Sequence, residues 1–214
     1  EDISGRHIIV VEDILDSGNT LSYLLKILDH RRPASIRLCT LLDKPERRVK
    51  PVKLDYAGEL TCTYPAYDGT WRVTAAPDGT LTDESGQTYR YLYWEGTDNV
   101  QYDFSEGFCV PGSETAAFLE DALAQLGLTR AEANEFIIFW LPRIQENAYN
   151  LIAFQDEAYT ESARLTITPE PDTLIRVFMA YRPLEKAVEI APQTLTAPER
   201  TGFTAVEWGG AECK

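Results

Sequence analysis

Two adjacent carboxylates, Glu12 and Asp13, precede a run of small polar residues, Asp16-Ser17-Gly18-Asn19-Thr20, and this stretch is the part of the sequence best equipped for chemistry. Gly18 permits a backbone turn that other residues resist. Free backbone N–H groups, small hydroxyls and the positive end of a following helix together make a phosphate cradle. A carboxylate pair would repel a phosphate, but it can accept hydrogen bonds from the vicinal hydroxyls of a sugar. A phosphate nest and two diol acceptors a few residues apart suit a ribose 5-phosphate. An acidic loop also has a plainer explanation, because negative charge at a helix N-terminus is favoured whatever it binds.

The elements that must position this loop are readable on either side of it. Residues 7–11, His-Ile-Ile-Val-Val, are the short apolar, β-branched run of a strand buried on both faces. Leu21, Leu24, Leu25 and Leu28 then recur at helical spacing, and Arg31, Arg32 and Pro33 supply stop signals. Residues 35–42 read as a second strand. Strand, loop, helix and strand make a βαβ unit, whose crossover is almost always right-handed and whose strands are parallel.

The ordered string from Val10 to Thr20 resembles the phosphoribosyl-pyrophosphate (PRPP) motif of type I phosphoribosyltransferases. A second string, Cys39-Thr40-Leu41-Leu42-Asp43-Lys44-Pro45-Glu46-Arg47-Arg48, resembles the purine-side strand and loop of bacterial hypoxanthine phosphoribosyltransferases. The resemblance implies that Glu12 and Asp13 hold the ribose hydroxyls, partly through Mg2+. It implies that Asp16 is the general base near purine N7, work that typically contributes ~10²–10⁴-fold. It further implies a 5-phosphate site built from Asp16, Ser17, Gly18, Asn19 and Thr20, and a Lys44 that donates to the 6-oxo group of hypoxanthine or guanine. Ser17 stands where the family often has threonine.

The resemblance covers residues 1–58. The family's pyrophosphate loop and lid have no counterpart here, nor do its purine-stacking aromatic and metal-binding aspartate after residue 58. The expectation is therefore a truncated or fused fragment that binds more than it turns over, with a sheet face and an edge left to be covered.

From Leu60 onward the texture changes. Residues 1–58 hold 10 basic and 9 acidic residues, whereas residues 59–214 hold 10 and 25, within a net charge of −14. All four tryptophans lie in the second part. Turn signals at Asp68-Gly69 and Pro77-Asp78-Gly79, flanked by residues 71–75 and 80–82, predict a hairpin. Residues 87–94 alternate as a half-buried strand would. Ser113 is placed to cap a helix through Gln125 that Gly127 closes. Thr129 and Glu132 have capping-box spacing for another helix, expected to end or change character before Pro142. Residues 136–141 suit either helix or strand. Further strands are expected at 149–154, 163–168 and 173–181, followed by an extended, proline-punctuated tail to Trp208. Segments 91–96, 139–143 and 206–210 are similar to uncharacterised bacterial proteins and imply no activity.

The predicted fold class is α+β: an N-terminal βαβ fragment of a type I phosphoribosyltransferase fold over 1–58, then a mainly antiparallel, aromatic-rich α+β domain over 59–214. The aromatics fit a core better than a sugar platform. Asp98 and Asp103, with Glu95 and Glu106, fit a solvated acidic face better than a calcium loop. The acidic second part would repel nucleic acid and anionic membranes. No apolar run is long enough for a membrane span. Four scattered cysteines fit reduced thiols in the cytoplasm, and two distant histidines fit neither a metal cluster nor a Ser-His-Asp triad. The alternative to PRPP and 6-oxopurine binding is a non-catalytic binding or structural domain at 59–214, to which the PRPP motif is joined as a relic or as part of a chimera.

Overall fold

The apolar run after Arg6 forms β1 (His7–Leu15), which lies parallel to β2 (Ser35–Asp43) in a register running from His7↔Ser35 to Leu15↔Asp43. Helix α1 (Asn19–Asp29) connects them. The computed structural model describes residues 3–15, 19–43 and 49–213, and gives the backbone alone for 12–15, 19–22 and 40–43. The expected βαβ unit is present, but β1 runs four residues past its predicted end. Apolar Ile14 and Leu15 continue the ladder opposite Leu42 and Asp43, so Glu12 and Asp13 belong to the strand rather than to the loop. Helix α1 stops where the sequence says it should. Arg31 N–H and Arg32 N–H bond back to Leu28 O and Asp29 O, and Arg32 takes the left-handed conformation (φ 53°) before Pro33. Ile9 and Val11 remain 66% and 75% exposed, unusual for a parallel pair, whose faces are normally covered.

The chain divides into two units whose segments interleave: residues 1–53, 62–95 and 167–169, and residues 54–61, 96–166 and 170–214. Besides the βαβ element, the first unit holds a small meander. After β3 (Val49–Tyr56) and β4 (Glu59–Tyr64) come β5 (Trp71–Ala75), β6 (Leu81–Asp83) and β7 (Thr88–Tyr89). Residues 49–52 pair antiparallel with 71–74, and the predicted hairpin joins β5 to β6. Gly79, at φ 84°, makes its turn possible. Asp83 accepts from the N–H groups of Ser85 and Gln87 and from Tyr89 OH, which shapes the next turn. The single strand expected over 87–94 does not form. β7 ends at Tyr89, Arg90 reaches back to Asp78 O, and β8 (Tyr93–Thr97) starts a separate ribbon with β4.

The second unit is built on a five-stranded sheet. Its elements are β9 (Glu106–Pro111), α2 (Thr115–Gln125), α3 (Arg130–Ile144), β10 (Tyr149–Gln155), α4 (Glu157–Ser162), β11 (Ala163–Ile167), β12 (Thr173–Leu184), β13 (Ala191–Pro192) and β14 (Thr204–Glu212). The sheet order is β13-β9-β10-β12-β14. The three central strands are antiparallel, as expected, but both edge strands join parallel. Across the described residues strands outnumber helices in a mixed α/β structure. Leu119, Leu123, Phe136, Ile144, Ile152 and Met179 are fully buried between the helices and the sheet, and Trp140 and Trp208 pack on Phe136.

Three local expectations for this unit are corrected. Ser113 caps nothing: a 3-10 turn over Gly112–Glu114 leads into α2, with Glu114 at the N-cap position making no side-chain cap bond. The far end agrees with the sequence, since Gly127 (φ 86°) closes α2 with bonds from Gly127 N–H to Ala124 O and from Leu128 N–H to Leu123 O. The Thr129–Glu132 capping box is also present. Residues 136–141 are helical, and α3 runs through Pro142 rather than stopping before it. A proline there forfeits the bond to the carbonyl of Ile138, and Ile138 is 74% exposed, so water can serve that carbonyl. Finally, the presumed tail contains β14, paired parallel with β12 from Thr173↔Thr204 to Tyr181↔Glu212. Gly210 allows this close approach, for a Cβ there would stand 2.5 Å from Met179 O and 2.8 Å from the Trp140 ring.

Candidate functional site

The backbone places Glu12 and Asp13 toward the C-terminal end of β1, which runs parallel to β2, the end at which open α/β sheets bind ligands. Glu12, opposite Thr40, and Asp13 lie in the last turn-ward half of β1, and Asn19 and Thr20 are the first two residues of α1. Asp16, Ser17, Gly18 and Lys44 lie outside the described residues, as do the side chains of Glu12, Asp13, Asn19 and Thr20. At the opposite end of the pair, His7 Nδ1 stands 2.8 Å from Ser35 Oγ and clasps the two strands. β1 ends at Leu15 and α1 begins at Asn19, the strand-then-helix order that a phosphate cradle needs.

Residues 1–73 match the family model described as the phosphoribosyl transferase domain. The hypoxanthine phosphoribosyltransferase of Salmonella typhimurium is 53% identical over 58 residues, which are 27% of this chain and 33% of that protein. The N-terminal segment is hypoxanthine-phosphoribosyltransferase-like. The hypoxanthine-guanine phosphoribosyltransferase of Lactococcus lactis is 52% identical over 56 residues, 26% of this chain and 30% of that one. Among solved structures, a hypoxanthine-guanine phosphoribosyltransferase from Bacillus anthracis is 52% identical over 22% of this chain and 29% of that chain, with a TM-score of 0.22. The chain spans about a third of the length of the curated relatives it matches.

In the second unit, a polar cluster that the sequence did not announce lies on the sheet. Arg176 Nε donates to Glu207 Oε2 at 2.5 Å, and the two side chains are 8% and 14% exposed. Tyr159 OH donates to Glu207 Oε1 at 2.8 Å, and Arg176 Nη2 donates to Ala163 O at 2.7 Å. The guanidinium carbon lies 4.7 Å from the centre of the Tyr159 ring, which stacks on Phe178. Burial, then the Glu207 charge, pushes the Tyr159 hydroxyl far above its ordinary range. Burial opposes the Arg176 charge, but the Glu207 bond and charge outweigh it and hold the guanidinium protonated. These groups satisfy one another's hydrogen-bonding capacity and tie β12, β14 and α4 together. The signal was available: Arg176 and Glu207 interrupt apolar runs of two strands that pair in register.

Of the acidic residues weighed for calcium, Asp98 and Asp103 serve local turns. Asp98 accepts from Tyr56 OH at 2.9 Å and from Val100 N–H at 3.1 Å. Asp103 accepts from Ser105 N–H and Oγ–H, both at 2.8 Å, and these bonds hold its carboxyl below the usual range. Among the described residues no group of three or more His, Cys, Asp or Glu could hold a metal ion, and no helix is long and apolar enough to cross a membrane. The aromatics are mostly core: Trp71 is buried against Tyr67, donating from Nε1 to Pro65 O at 2.9 Å, while Trp140 and Trp208 belong to the helix–sheet cluster. The four cysteines are free.

Proposed function

We propose that residues 1–58 bind Mg-PRPP and a 6-oxopurine, hypoxanthine or guanine, and that on these residues alone binding proceeds without efficient turnover. The observation that carries this reading is the match of the N-terminal segment to hypoxanthine phosphoribosyltransferases at 53% identity, and it is supported by Glu12 and Asp13 lying toward the end of β1 and Asn19 and Thr20 opening α1. Glu12 and Asp13 take the ribose hydroxyls, and their hard oxygen donors fit Mg2+, which would neutralise the pyrophosphate charge. Asp16 serves purine N7 as general base. The backbone and hydroxyls from Asp16 to Thr20 hold the 5-phosphate, and Lys44 donates to the 6-oxo oxygen. Limited turnover follows from extent, since the match spans a third of the relative's length. The reading carries with it a truncated or fused phosphoribosyltransferase in the cytoplasm, with a domain over 59–214 beside it.

A second reading, in which residues 59–214 act as a non-catalytic binding domain and the motif is a relic, is favoured by the exposure of Ile9 and Val11 and by a second unit that closes its own core. Calorimetric titration with Mg-PRPP separates the two. Saturable binding that an Asp13→Asn, Asp16→Asn variant loses is the expected result. A folded chain that ignores Mg-PRPP would leave the second reading standing.

A further inference from the structure

We propose that β14 is a dimer interface, its outer edge pairing antiparallel with β14 of a second copy across a two-fold axis at Trp208. This inference is independent of the PRPP reading. Thr173 N–H donates to Phe203 O, and Cys213 N–H donates to Tyr181 O. Along a strand, successive residues turn their backbone groups to opposite sides. The odd-numbered residues of β14 therefore face β12. The N–H and C=O of Thr204, Val206, Trp208, Gly210 and Glu212 point to the other edge. Among the described residues no further strand of the sheet lies there, because β14 closes the order β13-β9-β10-β12-β14.

Strand edges are normally kept short, kinked by a bulge or studded with lysine or proline. The opposite edge of this sheet obeys that rule, since β13 is two residues long. β14 does not. It is nine residues long, keeps its register against β12 without a break and contains no lysine, arginine or proline. Its two acids are already engaged, Glu207 by Arg176 and Tyr159, and Glu212 by Tyr181 OH. The strand is also self-complementary. When it is centred on Trp208 the whole length overlaps, and Val206 meets Gly210 of the second copy while Thr204 sets a hydroxyl beside Glu212. In the same register Glu207 stands opposite Gly209 and Ala205 opposite Ala211, so no like charges face each other. A slip of two residues would set Glu207 against Glu207. A free peptide loses conformational freedom on becoming a strand, whereas a second copy brings one already formed. The net charge of −14 on each copy opposes association, but salt screens it beyond ~8 Å at 0.15 M. Such pairing gives a closed dimer rather than a chain of copies, because both use the same edge.

The test is sedimentation velocity of the full chain from about 1 to 200 µM. The expected result is a species of twice the chain mass that strengthens as NaCl is raised from about 0.05 to 0.5 M. Val206→Pro removes an outward N–H, a change that edge strands tolerate. It should weaken association at least tenfold with an unchanged circular dichroism spectrum. Register is read by cross-linking in a background with the four native cysteines changed to serine. Opposed residues of a non-hydrogen-bonded pair lie ~4.5 Å apart at Cα, within disulfide reach. A mixture of Ala205→Cys and Ala211→Cys chains should therefore cross-link on oxidation, and neither should do so alone; this arm decides even if Val206→Pro fails to fold. A chain that stays monomeric throughout, a dimer indifferent to a folded Val206→Pro, or a mixture that does not cross-link would overturn the proposal.

Discussion

Removing the charge from Glu207 while keeping its shape should damage the second unit more than removing both charges of its ion pair. In Glu207→Gln the Tyr159 hydroxyl still finds an oxygen acceptor, but Arg176, 8% exposed at its side chain, is left with no counter-charge. Breaking one partner of a buried pair costs about 3–5 kcal/mol, because the survivor remains desolvated. At roughly 2–4 °C per kcal/mol for a chain of this size, the midpoint should fall by about 6–20 °C. Adding Arg176→Met removes the stranded charge and gives up the bond to Ala163 O, a loss of about 1–3 kcal/mol if that carbonyl stays dry. The double variant should therefore be more stable than Glu207→Gln alone. Thermal and urea unfolding followed by tryptophan fluorescence are the assays, with Trp208 adjacent to the altered position and Trp140, which shares its Phe136 contact, as reporters of this unit. Fitting each transition separately allows for the two units melting apart. A Glu207→Gln cost below about 1 kcal/mol, or a double variant as poor as the sum of the singles, would refute the reasoning that the pair is held in a low-dielectric site.

Two further outcomes follow from neighbouring groups. Asn150, fully buried, donates to Thr115 Oγ1 and Ile144 O and accepts from Asn147, so Asn150→Leu should cost about 1–3 kcal/mol through unpaired partners, as thermal denaturation would show. Burial, then the Glu212 hydrogen bond, pushes the Tyr181 hydroxyl up to about 12 from 10.0. The stability this provides is fully present below pH 10 and is lost as pH rises through about 12, because the unfolded chain releases that proton first. Stability measured across that window should fall less steeply in Tyr181→Phe.

How legible the fold was depended on whether a feature is local. The βαβ unit, the hairpin at Pro77-Asp78-Gly79, the Gly127 helix stop and the Thr129–Glu132 box each rest on a few adjacent residues, and all appear where the residues predict them. Strand β14 was missed because its partner, β12, sits about 30 residues earlier, and Gly209-Gly210 looks like loop until Trp140 and the Met179 carbonyl are seen against it. Pro142 misled because its cost depends on whether one carbonyl meets water. The strand over 87–94 failed because alternation registers a half-buried face but not a change of sheet at Arg90. The motif between Glu12 and Thr20 was legible by type and order, and the structure adds the strand end and helix start that frame it. The Arg176–Glu207 pair needed the register between distant strands.

Two glutamine side chains, finally, stand in for missing strands on β10. Gln155 offers Oε1 to Asp103 N–H and Nε2 to Asp103 O, while Gln193 does the same for both backbone groups of Phe154, one residue away on β10. A ladder rung made by a side chain opens when one rotamer turns, whereas its neighbours open only when strands part. The Phe154 amide should therefore exchange faster than its neighbours along β10, a difference that hydrogen exchange would read.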